Sequence, residues 1–262
     1  QLMKSTKEWV DFMSKKAFIA FLTAGDPTAD CTVNYILEME KAGADLIEIG
    51  IPFSDPTAEG PVIQDANIRA LKAGMTTDGV FEIVRRVREQ SNVKLAFMTY
   101  ANPVFHYGYE RFFGRCEELG VSAIIVPDLP YEEKAEMEEP ASAHHVDLIS
   151  MIAPTSEERI QMIAKEAKGF IYVVSSMGVT GVRKEIKTDL KSIVESIRKV
   201  TDVPCAVGFG ISTPEQAKQM AAISDGAIVG SAIVKLIAEH GTEAAPYLYQ
   251  YVKEMKEAVE SV

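Results

Sequence analysis

The most regular feature of the sequence is a series of short, continuous apolar runs, each closed by turn-forming residues. The first run is Ala17-Phe-Ile-Ala-Phe-Leu-Thr-Ala24, and Gly25-Asp-Pro27 follows it. A continuous apolar run between turn formers is typical of a strand buried on both faces. A segment with apolar residues at helical spacing comes after each run. The pattern therefore predicts strands that alternate with helices.

This unit occurs eight times along the chain. Predicted strands cover 17–24, 45–51, 93–100, 121–127, 146–153, 169–175, 204–209 and 226–229. A short amphipathic helix near Trp9 precedes them, and further helices are predicted over 29–42, 63–72, 78–89, 109–119, 132–145, 156–167, 188–200, 214–222, 232–239 and 244–259. Pro140 should interrupt or end the helix that contains it. Ser156 is the predicted N-cap of its helix, and Pro214 should lie in the first turn of its own.

Strands that alternate with helices imply a parallel sheet. Eight units in 262 residues match the size of a closed (β/α)₈ TIM barrel, here with an extra N-terminal helix and extra helical segments. A doubly wound open sheet is the alternative, but the first strand is not followed by G-x-G-x-x-G. Because composition does not change along the chain, we expect one domain over 1–262. Gln1-Leu2, before Met3, is expected to be left over from expression.

Composition narrows the range of partners. The chain is 47% hydrophobic and carries a net charge of −11, which argues against nucleic acid and anionic membranes. Cys31, Cys116 and Cys205 are widely spaced, so neither a disulfide framework nor a zinc site is expected. The reducing cytoplasm is the expected location. There is also no apolar run of about 18 residues that would predict a membrane span.

Two acidic residues stand out near the second predicted strand. Glu48 lies inside its apolar run, where a carboxylate has a high desolvation cost. Glu59 follows in the loop, just before Gly60-Pro61. Catalytic groups of such barrels come from the carboxyl ends of strands and the loops after them, so the two acids form a candidate acid/base pair. The alternative for Glu48 is a buried structural ion pair or hydrogen bond.

Glycine-rich turns follow the last three strands. They are Gly178-Val-Thr-Gly181, Gly208-Phe-Gly-Ile-Ser212 and Gly230-Ser231. Barrels often bind phosphate in this region through backbone N–H groups and a helix N-terminus. Any one of these turns could simply be a tight turn, but together they favour a phosphate site.

Other chemistries find less support. The fifth and sixth predicted strands carry no lysine, which argues against a Schiff-base aldolase. The four histidines lack metal-ligand spacing at strand ends, so no metal is expected. The residues alone thus predict a cytosolic barrel enzyme that binds a small phosphate ester and uses carboxylate acid/base chemistry.

The second strand and its loop resemble a family signature. Glu48-Ile-Gly-Ile-Pro-Phe-Ser-Asp-Pro-x-Ala-Glu-Gly-Pro-Val-Ile-Gln64 is similar to the signature of the tryptophan synthase α subunit family. Six further stretches agree with that family in the same order, over essentially the whole chain: Phe21-x-Thr-Ala-Gly-Asp-Pro27, Met98-Thr-Tyr-Ala-Asn102, Pro127-Asp-Leu-Pro130, Val174-Ser-x-x-Gly-Val-Thr-Gly181, Gly208-Phe-Gly-Ile-Ser212 and Gly230-Ser-Ala-Ile-Val-Lys235.

The resemblance implies a retro-aldol cleavage of indole-3-glycerol phosphate to indole and glyceraldehyde 3-phosphate, in the last stage of L-tryptophan biosynthesis. It implies that Glu48 is the acid and base, that Glu59 stabilises the indole N–H, and that Tyr172 belongs to the catalytic site. Substrate-binding positions carried over by the resemblance are Phe21, Met98, Thr180, Gly181, Gly210, Gly230 and Ser231. Thr180 matches the family's threonine that helps to close the site.

The resemblance also implies a partner, a β subunit in an α₂β₂ heterotetramer. Pyridoxal phosphate would belong to that subunit, so no cofactor is expected in this chain. Asp55 and the loop 127–130 would face the partner.

Three positions depart from the family pattern. Glu59 stands where aspartate is usual, Thr57 where leucine is usual, and Ser176 where well-known bacterial members have arginine. An extra methylene moves a carboxylate by about 1.5 Å. Two alternatives to the lyase therefore remain open: a catalytically weak allosteric subunit that activates a β partner, and another barrel that binds a related indole or ribose phosphate.

Overall fold

The structure, a computed structural model, describes residues 2–174, 183–208 and 210–262, without the side chains of 183–189. Within these residues the strands are β1 Ala17–Thr23, β2 Leu46–Gly50, β3 Lys94–Met98, β4 Val121–Ile125, β5 Asp147–Leu148, β6 Ser150–Ile152, β7 Ile171–Val174, β8 Cys205–Gly208 and β9 Gly226–Val229.

The helices surround this sheet. They are α1 Thr6–Met13, α2 Ala29–Lys41, α3 Pro61–Lys72, α4 Thr77–Arg88, α5 Ala101–Tyr107, α6 Tyr109–Leu119, α7 Ala135–Ala143, α8 Glu157–Lys165, α9 Arg183–Arg198, α10 Pro214–Ile223, α11 Ser231–His240 and α12 Ala245–Glu260. None of them, in the described ranges, has the length and apolar character needed to cross a bilayer.

The strands form one parallel sheet in the order β5-β4-β3-β2-β1-β9-β8-β7-β6. The two ends of this order, β5 and β6, are separated in the chain by Ile149 alone. One pairs with β4 and the other with β7, so they are two halves of a single barrel strand. The described sheet is therefore a closed eight-stranded TIM barrel with an added N-terminal helix, as the sequence predicts.

Side chains alternate between the two faces of the strands. The inward side chains pack on one another inside the barrel and include Ile19, Leu46, Ala96, Ala123, Ile125, Ile149, Tyr172, Ala206 and Ile228. The outward ones pack under the helices and include Phe18, Ala20, Leu22, Ile47, Ile49 and Phe97. Because both faces are buried, the strands read as continuous apolar runs.

Helix α1 closes the amino-terminal end of the barrel. Trp9 has no exposed surface and packs with the inward side chains. Its Nε1–H donates to Asp147 Oδ2 at 2.8 Å, and its ring lies 5.6 Å from that of Phe170. The opposite, carboxyl end of the strands is thereby left as the open mouth of the barrel.

Three elements differ from the predictions. Helix α5 was not predicted, and Gly108 with φ 93° separates it from α6. Helix α7 runs through Pro140 to Ala143, because Met137 and Ala141 are buried and the proline removes a single backbone donor. Helix α9 begins at Arg183 rather than 188. The predicted caps are confirmed, with Ser156 accepting from Arg159 N at 3.2 Å and Pro214 in the first turn of α10.

Candidate active site

Glu48 lies inside the barrel, at the centre of β2. It is in register with Phe21 of β1 and Ala96 of β3, and it has no exposed surface. Neither carboxylate oxygen has a hydrogen-bond partner among the described residues. Burial raises the pKa of Glu48 to about 8. Among the described residues Glu48 therefore makes neither the ion pair nor the hydrogen bond of the structural alternative, and its raised pKa favours a protonated carboxyl group at neutral pH.

Tyr172 faces the same interior from β7. Burial, followed by the charge of Glu48, raises the pKa of Tyr172 well above its ordinary value. The phenol ring lies against Gly208 of β8, where an added Cβ would be 2.5 Å from Tyr172 Cε1. A glycine at this strand end is what gives the ring its place beside Glu48.

An apolar wall flanks the acid toward the mouth. Phe21 packs with Ala66 and Val234, and Met98 contacts both this group and the barrel interior. The ring of Phe21 lies over Gly50, where a Cβ would be 2.7 Å from Phe21 Cζ. The wall is made of flat or flexible apolar side chains, which suits a flat apolar ligand.

Glu59 is held in place by helix α3. Its Oε2 accepts from Asn67 Nδ2 at 2.8 Å, and its backbone carbonyl accepts from Gln64 Nε2 at 2.7 Å. Burial raises the pKa of Glu59, and the bond from Asn67 opposes that shift. The Tyr100 hydroxyl is also nearby, since burial and then the charge of Glu59 raise the pKa of Tyr100 to about 12.

Asn67 and Arg69 are two supporting residues that the sequence analysis missed. Asn67 also donates to Ile63 O at 3.1 Å and is 5% exposed. Arg69 makes two bonds, of 2.8 and 2.9 Å, to the buried carboxylate of Asp26. This pair fixes α3 to the loop after β1, and with it the residue that holds Glu59. The sequence carries one signal for Asn67, because a polar residue at an apolar position of an amphipathic helix indicates a buried hydrogen bond.

The predicted anion-binding glycines lie at the same end of the barrel. Gly230 precedes α11, whose first residue Ser231 is exposed, and no side chain from the described part of the protein caps that helix. Gly230 lies against Phe21, with an added Cβ 3.4 Å from Phe21 Cδ1. Gly210 has φ +72° and open space around it. The α11 N-terminus therefore has free N–H groups at the mouth. Thr180, Gly181 and Ser176 lie outside the described residues.

A cavity of about 260 Å³ adjoins the interior on the side of β4 and β6. Its lining includes Met151 on the interior side and Pro127, Pro130, Tyr131 and Arg159 toward the surface. Away from the mouth, His144 lies between Glu117 and Glu110 at 2.7 Å from each. Among the described residues, no group of three His, Cys, Asp or Glu side chains could hold a metal ion.

Comparisons with known proteins agree with this geometry. A family profile described as "Tryptophan synthase alpha chain" matches residues 10–260. Proteins of that name from Lacticaseibacillus casei and Lactiplantibacillus plantarum are 48% and 49% identical over 250 residues, covering 95% of this chain and 94% of each relative. The solved alpha chain from Legionella pneumophila superposes with TM-score 0.89 at 33% identity, covering 99% of this chain and 98% of that one.

A further solved chain is from Pyrococcus furiosus, in a study of mutual activation of the tryptophan synthase a2b2 complex. It has TM-score 0.84 and 37% identity, covering 91% of this chain and 97% of that one. The matches extend over nearly the full length of each protein, and the structural ones agree with the barrel fold. The chain belongs to the tryptophan synthase alpha chain family.

Proposed function

We propose that Glu48 carries the proton in the retro-aldol cleavage of indole-3-glycerol phosphate to indole and glyceraldehyde 3-phosphate. As a member of its family the chain is a carbon–carbon lyase of tryptophan biosynthesis. The observation that carries the residue assignment is a buried carboxyl group that has no partner among the described residues and a pKa of about 8. A general acid works best when its pKa lies near the operating pH.

One carboxyl group is sufficient for both proton transfers. Protonated Glu48 gives its proton to C3 of the indole, which produces a cationic iminium ring that can accept electrons. The resulting carboxylate takes the proton of the hydroxyl on the carbon attached to C3. The bond between these two carbons breaks, its electrons enter the ring, and the hydroxyl becomes the aldehyde. Glu48 ends protonated, as it began.

The other site residues stabilise the developing charge and orient the substrate. The Glu59 carboxylate accepts from the indole N–H and stabilises the positive charge that develops there. Phe21 and Met98 contact the flat ring, and Tyr172 orients the Glu48 end of the substrate. Gly181, Gly210, Gly230 and Ser231 bind the phosphate, and Thr180 helps to close the site. Free N–H groups at the α11 N-terminus support the phosphate assignment.

We also propose an α₂β₂ assembly with a β subunit that holds the pyridoxal phosphate. The proposed cleavage itself needs no cofactor, since a carboxyl group and a carboxylate supply its acid, base and electrostatic steps. Asp55 is exposed, as are Asp128 and Pro130 in the loop 127–130, and this loop and Asp55 would face that partner. Residues 1–262 would form one domain, and a cytoplasmic location fits three cysteines that are all free.

The test is a steady-state assay of indole release from indole-3-glycerol phosphate, with and without a β subunit. We expect release in the complex and its loss in Glu48→Gln. If the complex binds substrate and stimulates the β subunit without releasing indole, the chain is the allosteric subunit instead. Tight binding of a different sugar phosphate, with none of this substrate, would favour another phosphate-binding barrel.

A further inference from the structure

Thr23 has a buried hydroxyl group that nothing in the described chain satisfies. The residue is 1% exposed, and its Oγ1 has no hydrogen-bond partner among the described residues. Buried hydroxyl groups in folded proteins are nearly always hydrogen-bonded, because leaving one unpaired costs free energy. An unpaired hydroxyl beside a ligand site therefore points to a bond that the ligand supplies.

The alternation of β1 directs Thr23 into the barrel. Ile19 and Phe21 face the interior, and Leu22 faces the outer helices. Thr23 is the next inward position, and it is in register with Gly50 of β2. Three other hydroxyls lack partners in the described chain, but none lies inward at the mouth: Thr99 adjoins inward Met98, Ser122 lies at a register shift and Ser196 is on α9.

The strand order places Thr23 between the two ends of the proposed substrate. Strand β1 lies between β2, which carries Glu48, and β9, which leads into Gly230 and the α11 N-terminus. Thr23 is two residues nearer the mouth than Phe21, the register partner of Glu48, which is about 7 Å along the strand. Gly230 follows Val229, the register partner of Ala20, so it is level with Phe21, as Glu48 is. A chain that joins an indole ring at Glu48 to a phosphate at Gly230 therefore passes Phe21, and Thr23 is the next inward side chain on the mouth side of that chain.

We propose that the Thr23 hydroxyl hydrogen-bonds a hydroxyl group of the substrate's glycerol chain and so positions the bond that is cleaved. This inference rests on the proposed function, which places the indole ring of the substrate at Glu48 and its phosphate at Gly230. The threonine hydroxyl both donates and accepts, so it can bind a hydroxyl in either sense. Thr23 thus contributes recognition of a hydroxylated three-carbon phosphate rather than of the indole ring.

The experiment compares two small phosphates that are not cleaved. Glycerol 3-phosphate has the hydroxyl groups of the substrate's chain, and n-propyl phosphate lacks them. Calorimetry gives the affinity of the full chain for each, in the wild type and in Thr23→Val and Thr23→Ser. We expect Thr23→Val to weaken glycerol 3-phosphate binding about fivefold and to leave propyl phosphate unchanged. Thr23→Ser keeps the hydroxyl and should retain most of the affinity.

A stability measurement separates this role from a structural one. Because the hydroxyl has no partner among the described residues of the free protein, Thr23→Val should leave the melting temperature unchanged or raise it. Unchanged affinity for glycerol 3-phosphate in Thr23→Val would overturn the inference, and so would an equal loss for both phosphates.

Indole release by the wild-type complex is measured separately. A chain that does not release indole but shows the selective loss would keep the role of Thr23 and overturn the proposed cleavage. A chain that releases indole without the selective loss would keep the proposed cleavage and overturn the role of Thr23.

Discussion

At the scale of single residues, two acids in one barrel are held in different ways. Glu48 has no polar contact in the described chain and is raised in pKa by burial to about 8. Glu59 is less buried and is bonded to Asn67 at 2.8 Å, which opposes the effect of burial on its pKa. The first environment favours a neutral acid that can give a proton, and the second favours a carboxylate that can stabilise a cation.

The raised pKa of Glu48 predicts how stability depends on pH. The native state keeps this proton from the ordinary pKa of 4.5 up to about 8, whereas the unfolded state loses it. The free energy of unfolding should therefore fall as pH rises across that window, by up to about 1.4 kcal/mol per pH unit from this group. In Glu48→Gln this contribution should be absent, so the fall should be smaller, and indole release should drop by at least about 100-fold.

Urea unfolding at pH 5, 6.5 and 8.5 measures this dependence. The exposed Glu239→Gln variant is the control, and it should keep both the pH dependence and the activity. If wild type and Glu48→Gln show the same slope, Glu48 is not protonated in the native state.

Glu59 is one of the three residues that depart from the family pattern. Its bond from Asn67 predicts that the site is adapted to a glutamate at this position. Shortening the side chain in Glu59→Asp withdraws the carboxylate by about 1.5 Å, beyond reach of the Asn67 amide in its present position. We expect kcat to fall on the order of 100-fold, because the indole N–H loses its partner. Asn67→Leu, which removes the same bond from the other side, should lower kcat in the same direction. Steady-state kinetics of indole release that show a gain in Glu59→Asp would instead favour the weak allosteric subunit.

At the scale of elements, the strand ends combine a large side chain with a glycine on the neighbouring strand. Phe21 lies over Gly50, and Tyr172 lies against Gly208. Register sets these pairs, because a shift of one residue would turn each ring to the opposite face. The glycines therefore shape the site through the space that they leave to rings from other strands.

Gly208→Ala tests this arrangement. Its Cβ would be 2.5 Å from Tyr172 Cε1, so the ring has to move. We expect a loss of about 1–3 kcal/mol in stability and a clear fall in kcat. Gly114→Ala is the matched control, since its Cβ would be 3.7 Å from His144 Cε1 and it lies within α6. It should stabilise the chain by about 0.5–1 kcal/mol and leave indole release unchanged. Equal activity in the two variants would contradict a role for the Gly208 space.

At the scale of the whole molecule, closure and function occupy opposite ends of one barrel. Helix α1 closes the amino-terminal end with Trp9, while Glu48, Glu59 and the α11 N-terminus open toward the carboxyl end. Stability can thus be changed at one end without direct contact with the site at the other.

Trp9 variants separate the effect of the closed end on stability from the effect of the barrel mouth on activity. Trp9→Ala should cost about 3–5 kcal/mol, because it empties a fully buried space at the closed end. Trp9→Phe keeps much of that packing but removes the bond to Asp147, so about 1–3 kcal/mol is expected. Both should keep kcat near the wild-type value in native conditions. Chemical unfolding with parallel indole-release assays measures both effects, and a kcat that falls in proportion to stability would show that the two ends are coupled.

Residue patterns alone predict the strand–helix alternation, the barrel class, the two candidate acids and the glycine turns. These features are local, since burial on both faces leaves continuous apolar runs and turns demand particular residues. The resemblance added roles for Tyr172, Phe21, Met98, Thr180 and Gly181, and all of these roles stay proposals.

Tertiary structure decided what depends on residues far apart in the chain. It showed that Glu48 has no ion-pair partner in the described chain, that Asn67 holds Glu59, and that Asp26 and Arg69 fix α3. It also continued α7 through Pro140, because the packing of that helix outweighs one missing donor. Burial and hydrogen bonding are properties of neighbours in space, and periodicity along a chain does not specify which neighbours meet.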